Sequence, residues 1–147
     1  EDEITRSVDL ISYHLSSRNV KIVRETSAYL GQVQGDRQQL LQVFLNLLTN
    51  SSDAMPGGGC LTVTVREGFL DGGQPAVRIE FADTGTGIEA ANLQKIWEPF
   101  VTTKPEGKGT GLGLPICRRT IEEHGGTITI DSVAGSGTAV VIKLPST

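Results

Sequence analysis

The chain has 147 residues, 37% of them hydrophobic, and a formal net charge of −4, which is enough apolar material for one globular domain over residues 1–147. The acidic balance, without a basic run or a basic amphipathic helix, excludes a non-specific nucleic-acid or membrane-surface binder. Only two cysteines are present and no apolar stretch is long enough to cross a bilayer, so we expect a cytoplasmic domain without a disulfide framework.

The N-terminal part of the chain predicts two helices with a strand between them. Apolar residues at helical spacing predict the first helix over about residues 3–17, and alternating residues predict a short strand over 20–25. Asp36 has the position of an N-cap for a second helix that runs to about Ala54. Gln39, three residues further on, is its expected capping-box partner.

The second helix carries a polar stripe beside its apolar face. Residues at spacings of four, four and three share this stripe: Gln42, Asn46, Asn50 and Asp53. Asparagine in mid-helix costs about 0.6 kcal/mol relative to alanine, so the two amides suggest a function. The carbonyl oxygen of Asn50 suits Mg²⁺, with phosphate oxygens and waters as further ligands. A plain solvated helix face is the alternative.

Two β-hairpins are predicted after this helix. Alternating residues predict strands in two pairs, at 61–66 with 77–82 and at 127–131 with 140–144. Strict alternation buries one face of each strand, and this favours a mixed, mostly antiparallel sheet with helices on one face. The expected fold class is therefore α+β, a two-layer α/β sandwich.

Asp83 directly follows one of these strands and starts a segment that contains Gly85, Gly87 and Ile88. A carboxylate there can accept a hydrogen bond from an exocyclic amine such as that of adenine, and glycine permits close backbone approach to a flat ligand. An Asx-type turn is the alternative for Asp83. Taken alone, Gly135-Ser136-Gly137-Thr138 predicts only a hairpin turn.

A glycine-rich run precedes the last predicted helix, which extends to His124. Glycine occupies alternate positions at Gly107, Gly109, Gly111 and Gly113, so that backbone N–H groups can converge on a phosphate at the positive end of the helix. A P-loop does not fit because Gly109 follows Lys108, and a dinucleotide fingerprint does not fit because no strand feeds the run. A flexible loop is the alternative.

The segment before this run has the composition of a lid. Trp97-Glu98-Pro99-Phe100 is expected to act as its hinge, and we expect residues 101–110 to be mobile without nucleotide. Aromatic residues that fill the core are compatible with this role. Both histidines have structural explanations, since His14 lies within a helix and His124 ends one, where a cation suits the helix dipole.

Taken in order, five motifs resemble the ATP-binding catalytic domain of two-component sensor histidine kinases, within the group that includes gyrase, the heat-shock chaperone and the mismatch-repair ATPase. They are Asn46-x-x-x-Asn50, Asp83-x-Gly85-x-Gly87, Trp97-Glu98-Pro99-Phe100, Gly107-x-Gly109-x-Gly111-x-Gly113 and Gly135-x-Gly137-Thr138. The resemblance implies a Bergerat-type fold. The segment Thr102-Thr103-Lys104 is most similar to sensor kinases of the nitrogen-regulation type.

The resemblance also implies site residues. Asn50 would ligate Mg²⁺, Asn46 would line the phosphate side, and Asp83 would bind the adenine amine. The other adenine-pocket residues would be Gly85, Gly87, Ile88 and Thr138. Further residues would contact the rest of the nucleotide. They lie in the polar stripe, the lid and the start of the last helix: Asp53, Thr102, Thr103, Lys104, Lys108, Gly109, Thr110, Gly111, Leu112 and Gly113. The expected catalytic residues are Asn46, Asn50 and Lys104.

The residue type at position 46 bears on whether ATP is hydrolysed or its phosphoryl group is transferred to a protein. Hydrolytic relatives place a glutamate four residues before the magnesium asparagine, and an amide cannot act as a general base. The resemblance therefore implies a protein histidine kinase that binds ATP and Mg²⁺ and transfers the terminal phosphoryl group to a histidine. Three departures from the family's usual residues, at Ser51, Trp97 and Pro115, remove no polar contact.

The implied partner is the dimerisation and histidine-phosphoacceptor domain of the same kinase, because neither histidine has the sequence context of the acceptor. A response regulator would be an indirect partner. No nucleic acid and no direct membrane contact by this domain are expected. Two alternatives are an anti-sigma-factor-type protein serine kinase and a nucleotide-gated binding module without transfer.

Overall fold

The computed structural model describes residues 20–26, 33, 35–53, 55, 57–85, 113–133 and 135–146. The elements in these ranges are, in chain order, β1 (Val20–Thr26), α1 (Arg37–Asp53), β2 (Gly59–Phe69), β3 (Pro75–Asp83), α2 (Gly113–Glu123), β4 (Thr127–Val133) and β5 (Gly137–Pro145). The helix predicted over residues 3–17, the predicted lid and the glycine run before Gly113 lie outside the described residues.

The five strands form one sheet in the order β1-β2-β3-β5-β4. β1 pairs with β2 in parallel, and the other three pairs are antiparallel. This arrangement confirms the mixed, mostly antiparallel sheet and both predicted hairpins, β2–β3 and β4–β5. The final strand lies beside β3, so that β4 is at the sheet edge in the described part of the chain.

One face of the sheet forms the core with the two helices. The buried strand residues alternate along β2, β3 and β5: Leu61, Val63, Val65, Val77, Ile79, Phe81, Val140, Ile142 and Leu144. The helices add to the same buried cluster Leu40, Val43, Phe44, Leu47, Leu48, Cys117 and Ile121. The described elements therefore make the predicted two-layer sandwich, because β2, β3 and β5 each bury the face that alternation assigns to them.

Helix α1 begins where the sequence predicts, but one of its capping partners differs. The Asp36 carboxylate accepts a hydrogen bond from the Gln39 N–H at 3.1 Å, as expected of an N-cap. The Asp36 N–H donates instead to Nε2 of His124, at 3.0 Å. The expectation that Gln39 would complete a capping box is therefore wrong, because the end of α2 packs against the start of α1 and supplies the acceptor.

This contact also bears on the tautomer of His124. An Nε2 atom that accepts a hydrogen bond carries no proton, so the ring proton is on Nδ1, which lies 2.7 Å from the carbonyl oxygen of Thr120. Both ring nitrogens of His124 therefore have hydrogen-bond partners at this helix end. Helix α2 itself ends at Glu123, one residue before the predicted end.

Candidate functional site

At one end of the sheet, the apolar core face continues into a row of polar residues on adjacent strands. Asp83 of β3 pairs with Thr138 of β5, and Thr138 pairs with Ser132 of β4. Asp83 lies two residues after the buried Phe81, and Thr138 lies two residues before the buried Val140. Because side chains alternate along a strand, this polar row faces the helices at the end of the core.

The Asp83 carboxylate is half-buried and accepts hydrogen bonds from three directions. Its Oδ1 atom accepts from the Gly85 N–H at 2.9 Å and from the Thr138 N–H at 3.3 Å. The hydroxyl of Ser51 in α1 donates to it as well. Burial raises the pKa of Asp83, and these three hydrogen bonds oppose the rise. The bond from Gly85 is the contact expected of an Asx-type turn, which is the alternative interpretation of Asp83. Asp83 therefore forms this turn and also accepts hydrogen bonds from other parts of the fold.

Ser51 reaches Asp83 because it lies in phase with the buried face of α1. It follows Leu48 by three residues and Leu47 by four, and only 5% of its surface is exposed. In the sequence, Ser51 is only a departure from the family's usual residue, and this contact is not predicted. The sequence signal for this contact is that Ser51, a polar residue, continues the apolar stripe of α1.

Gly137 brings the start of β5 against the backbone of β3. Its φ is +111°, and a Cβ atom at this position would overlap the carbonyl oxygen of Asp83. The Ser132 hydroxyl donates to the Gly137 carbonyl at 3.0 Å and lies 2.8 Å from the Thr138 hydroxyl. These contacts hold the Thr138 N–H against Asp83. The sequence pattern predicts a hairpin turn at Gly137 and not this close contact, although Gly137 directly precedes the predicted site residue Thr138.

A shallow cavity of about 220 Å³ opens beside the polar row, with Asp131 and Ser136 at its rim. A larger depression of about 440 Å³ lies on the outer face of α2. Its charged side chains pair with one another along the helix, Arg118 with Glu122 and Arg119 with Glu123. We assign the candidate site to the smaller cavity, because the fixed carboxylate of Asp83 lies there.

Two residues of the predicted polar stripe lie on one face of α1, and one of them contacts α2. The Gln42 amide donates to the Asn46 side-chain oxygen at 3.1 Å, which places both on one helix face. The Asn46 amide nitrogen lies 3.8 Å from the sulfur of Cys117 in α2. Asn50, one turn further on, is half-buried. Within the described ranges no cluster of three or more His, Cys, Asp or Glu side chains could hold a metal ion.

The predicted site residues therefore divide into two groups. The structure brings Asp83, Gly85 and Thr138 together at the sheet end, places Asn46 and Asn50 on α1, and begins α2 at Gly113. The side chain of Asp53 lies outside the described residues. So do ten further predicted site residues: Gly87, Ile88, Thr102, Thr103, Lys104, Lys108, Gly109, Thr110, Gly111 and Leu112.

Comparison with curated proteins finds sensor kinases. The chain is 38% identical over 142 residues to the sensor histidine kinase ZraS of Klebsiella oxytoca, a match that covers 97% of this chain and 29% of ZraS. The chain thus spans less than a third of the length of this relative. Within the described ranges, no helix is both long enough and apolar enough to span a membrane.

Solved structures give the same result. The catalytic domain of the histidine kinase ThkA matches with a TM-score of 0.84 and 30% identity, over 99% of this chain and 91% of that domain. Full-length ShkA matches with a TM-score of 0.82 and 28% identity, over 99% of this chain and 29% of ShkA. Residues 35–147 match the family described as histidine kinase-, DNA gyrase B-, and HSP90-like ATPase. The chain therefore belongs to this ATPase family, as a catalytic domain of the histidine-kinase type.

Proposed function

We propose that this domain binds Mg-ATP and transfers the terminal phosphoryl group to a histidine on a separate dimerisation and phosphoacceptor domain of a sensor kinase. The observation that carries the proposal is the Asp83 carboxylate, fixed by hydrogen bonds from Gly85, Thr138 and Ser51 beside an open cavity. Membership of an ATPase family supports it. So does the structure of the related ShkA, which was determined in complex with AMPPNP.

Asp83 would select adenine through the exocyclic amine of the base. An ionised carboxylate only accepts hydrogen bonds, so it favours an amine and repels a carbonyl oxygen at the same place. The two backbone N–H groups both bind Oδ1, which leaves acceptor capacity on the carboxylate for the ligand. Gly87, Ile88 and Thr138 would complete the pocket around the base.

The polar stripe of α1 would lie on the phosphate side of the nucleotide. Its amide oxygens are hard donors of the kind that Mg²⁺ prefers, and Asn50 would be the protein ligand, with phosphate oxygens and waters as the others. When bound, the ion would neutralise charge on the phosphates. The side chain of Asn46 is held by Gln42 and Cys117 and offers no general base, which favours transfer to a protein over hydrolysis.

The remaining roles belong to residues around the glycine run. Lys104 and Lys108 would bind the phosphates, together with Thr102 and Thr103. The backbone from Gly109 to Gly113, with Thr110, Gly111 and Leu112 between them, would contribute N–H groups at the start of α2, where the helix dipole favours an anion. Asp53 would lie at the metal end of the stripe.

The partners follow from the same reaction. The acceptor histidine would belong to the dimerisation domain of the kinase, and a response regulator would receive the phosphoryl group afterwards. ThkA, a related histidine kinase, has been solved in complex with the response regulator protein TrrA. This supports a response regulator as a partner. We place the reaction in the cytoplasm, where ATP is available.

Labelled ATP distinguishes the proposed reaction from its alternatives. The domain is incubated with Mg²⁺, labelled ATP and a set of purified dimerisation domains from sensor kinases. We expect acid-labile label on the acceptor domain, which indicates phosphohistidine. Acid-stable label would instead indicate a serine kinase, and ATP binding without any label would indicate a binding module.

Replacing Asn50 by Ala should abolish the magnesium dependence of nucleotide affinity, because it removes the proposed protein ligand. Calorimetric titrations of ATP with and without Mg²⁺ measure this dependence. Thr49→Ala, at an exposed position on the same helix, is the matched control and should bind as the parent does. If Asn50→Ala keeps the parent's difference between the two titrations, Asn50 is not the metal ligand.

A further inference from the structure

Ser51 is the one polar residue in the described part of the chain whose surface is almost completely buried, at 5% exposure. It lies in the last turn of α1, on the stripe that otherwise carries Leu47 and Leu48 against the sheet. A buried hydroxyl without a hydrogen-bond partner is unfavourable. The partner of Ser51 is the carboxylate of Asp83.

The direction of this hydrogen bond follows from the chemistry of the two groups. An ionised carboxylate has no proton to donate, so the Ser51 hydroxyl is the donor. A hydrogen bond to a charged acceptor is stronger than one between neutral groups. The bond therefore favours the ionised form of Asp83 over the protonated form.

The three donors to Asp83 come from three different parts of the fold. Gly85 belongs to the turn after β3 and Thr138 to β5, and both bind Oδ1 through their backbone N–H groups. The torsion that rotates an aspartate carboxylate is broad, so two bonds to one oxygen leave its plane weakly defined. Ser51 adds a donor from the helix layer, which restricts that rotation.

We propose that Ser51 is a positioning residue for base selection, whose hydroxyl orients the Asp83 carboxylate toward a 6-amino purine and against a 6-oxo purine. This inference rests on the proposed function, because it assumes that Asp83 binds the adenine amine. Beyond the proposed function, part of the base selectivity would come from Ser51, which does not itself contact the nucleotide. A serine on the buried stripe of α1 thus has a function as well as a packing role.

The test is a double-mutant cycle read out with two nucleotides. Calorimetry measures the affinities of Mg-ATP and Mg-ITP for the parent domain, Ser51→Ala, Asp83→Asn and the double variant. We expect Ser51→Ala to bind ATP about tenfold more weakly, the lower end for a hydrogen bond to a charged group. ITP affinity should change little, so the preference for ATP falls. Thr49→Ala removes an exposed hydroxyl from the same helix and should leave both affinities unchanged.

In the Asp83→Asn background, Ser51→Ala should cause no further loss of ATP affinity, because the residue acts through Asp83. Ser51→Cys keeps a weak donor of similar size and should give an ATP preference between those of the parent and Ser51→Ala. Melting curves of each variant show that it is folded.

Three results would overturn the inference. An ATP preference in Ser51→Ala equal to that of the parent would overturn the inference and leave the proposed function standing. The same holds if Ser51→Ala lowers ATP affinity by the same factor in the Asp83→Asn background as in the parent. A parent domain that binds neither nucleotide would overturn the proposed function, and this inference with it.

Discussion

Burial of the Asp83 carboxyl group affects folding, and in the proposed function the same group binds the adenine amine. Burial is the main influence on the Asp83 carboxyl and raises its pKa above the usual value. For a carboxyl group, a raised pKa in the folded state means that folding favours the protonated form. The resulting stability is fully present below the pKa of the unfolded chain and is lost as pH rises through the folded-state pKa. Ionisation of Asp83 therefore lowers the stability of the domain relative to the protonated form.

Asp83→Asn should therefore separate stability from binding. The amide keeps an oxygen that can accept from Gly85 and Thr138 but loses the charge, so the free energy of unfolding at neutral pH should stay equal or rise. ATP binding should weaken by about 1.5–3 kcal/mol, because a charge-assisted hydrogen bond to the amine is lost. Urea denaturation at acid and neutral pH and ATP calorimetry measure the two effects. Equal ATP affinity in the parent and the variant would contradict the adenine assignment.

Gly137 is needed for steric reasons at the same place. Gly137→Ala should destabilise the domain by about 3 kcal/mol or more, because a side chain there combines an unfavourable φ with overlap against the β3 backbone. Any folded fraction should bind ATP weakly, since the Thr138 N–H would move away from Asp83. Gly135→Ala is the matched control: its φ of +82° is also positive, but nothing lies within 4 Å of the added carbon. Equal urea midpoints for the two variants would show that contact with Asp83 is unimportant.

At the scale of elements, the contact between the two helices includes a buried cysteine with two weak polar contacts. Cys117 of α2 is fully buried. Its thiol donates to the carbonyl oxygen of Val43 at 3.9 Å and accepts from the Asn46 amide at 3.8 Å. Burial raises the pKa of Cys117 to about 11. Since the thiolate is the reactive form, about one molecule in ten thousand carries it at neutral pH.

Native protein should therefore expose one reactive thiol instead of two. Cys60 is partly exposed and should react with a thiol reagent such as Ellman's reagent. Cys117 should react only after denaturation. Absorbance during the titration counts the thiols, and Cys60→Ser serves as the control that should show none until the domain unfolds. Rapid reaction of two thiols in the folded parent would contradict the packing of α1 on α2.

For the whole molecule, the structure bears on whether the domain can phosphorylate itself. Both ring nitrogens of His124 are engaged, Nε2 by the Asp36 N–H and Nδ1 by the Thr120 carbonyl. Phosphoryl transfer needs a free nucleophile in line with the phosphorus. His124 is held between the two helices and does not meet this requirement. His14 lies outside the described residues.

The purified domain alone should therefore bind ATP without acquiring acid-labile label. Adding a matching dimerisation domain in trans should restore some transfer, at a low rate because the effective concentration of a tethered partner is lost. Scintillation counting after gel separation measures the label on each chain. Stoichiometric acid-labile label that disappears in His124→Ala or His14→Ala would show that the domain carries its own acceptor.

Much of the fold follows from local patterns in the sequence. The alternation along β2, β3 and β5 predicted which face of each strand is buried, because a strand's side chains point to opposite sides in turn. Helical spacing and Asp36 predicted the position of α1. The same patterns placed Asp83 at a strand end. These features depend on residues close together in the chain, so the sequence by itself determined them.

Contacts between distant segments were decided by the tertiary structure. The Asp36 N–H bonds to His124 instead of Gln39, because α2 ends beside the start of α1. Ser51 meets Asp83, and Gly137 lies against the backbone of β3, because α1 and β5 both pack at that end of the sheet. No local period encodes which elements become neighbours, since strand order and helix packing depend on burying all the apolar faces at once.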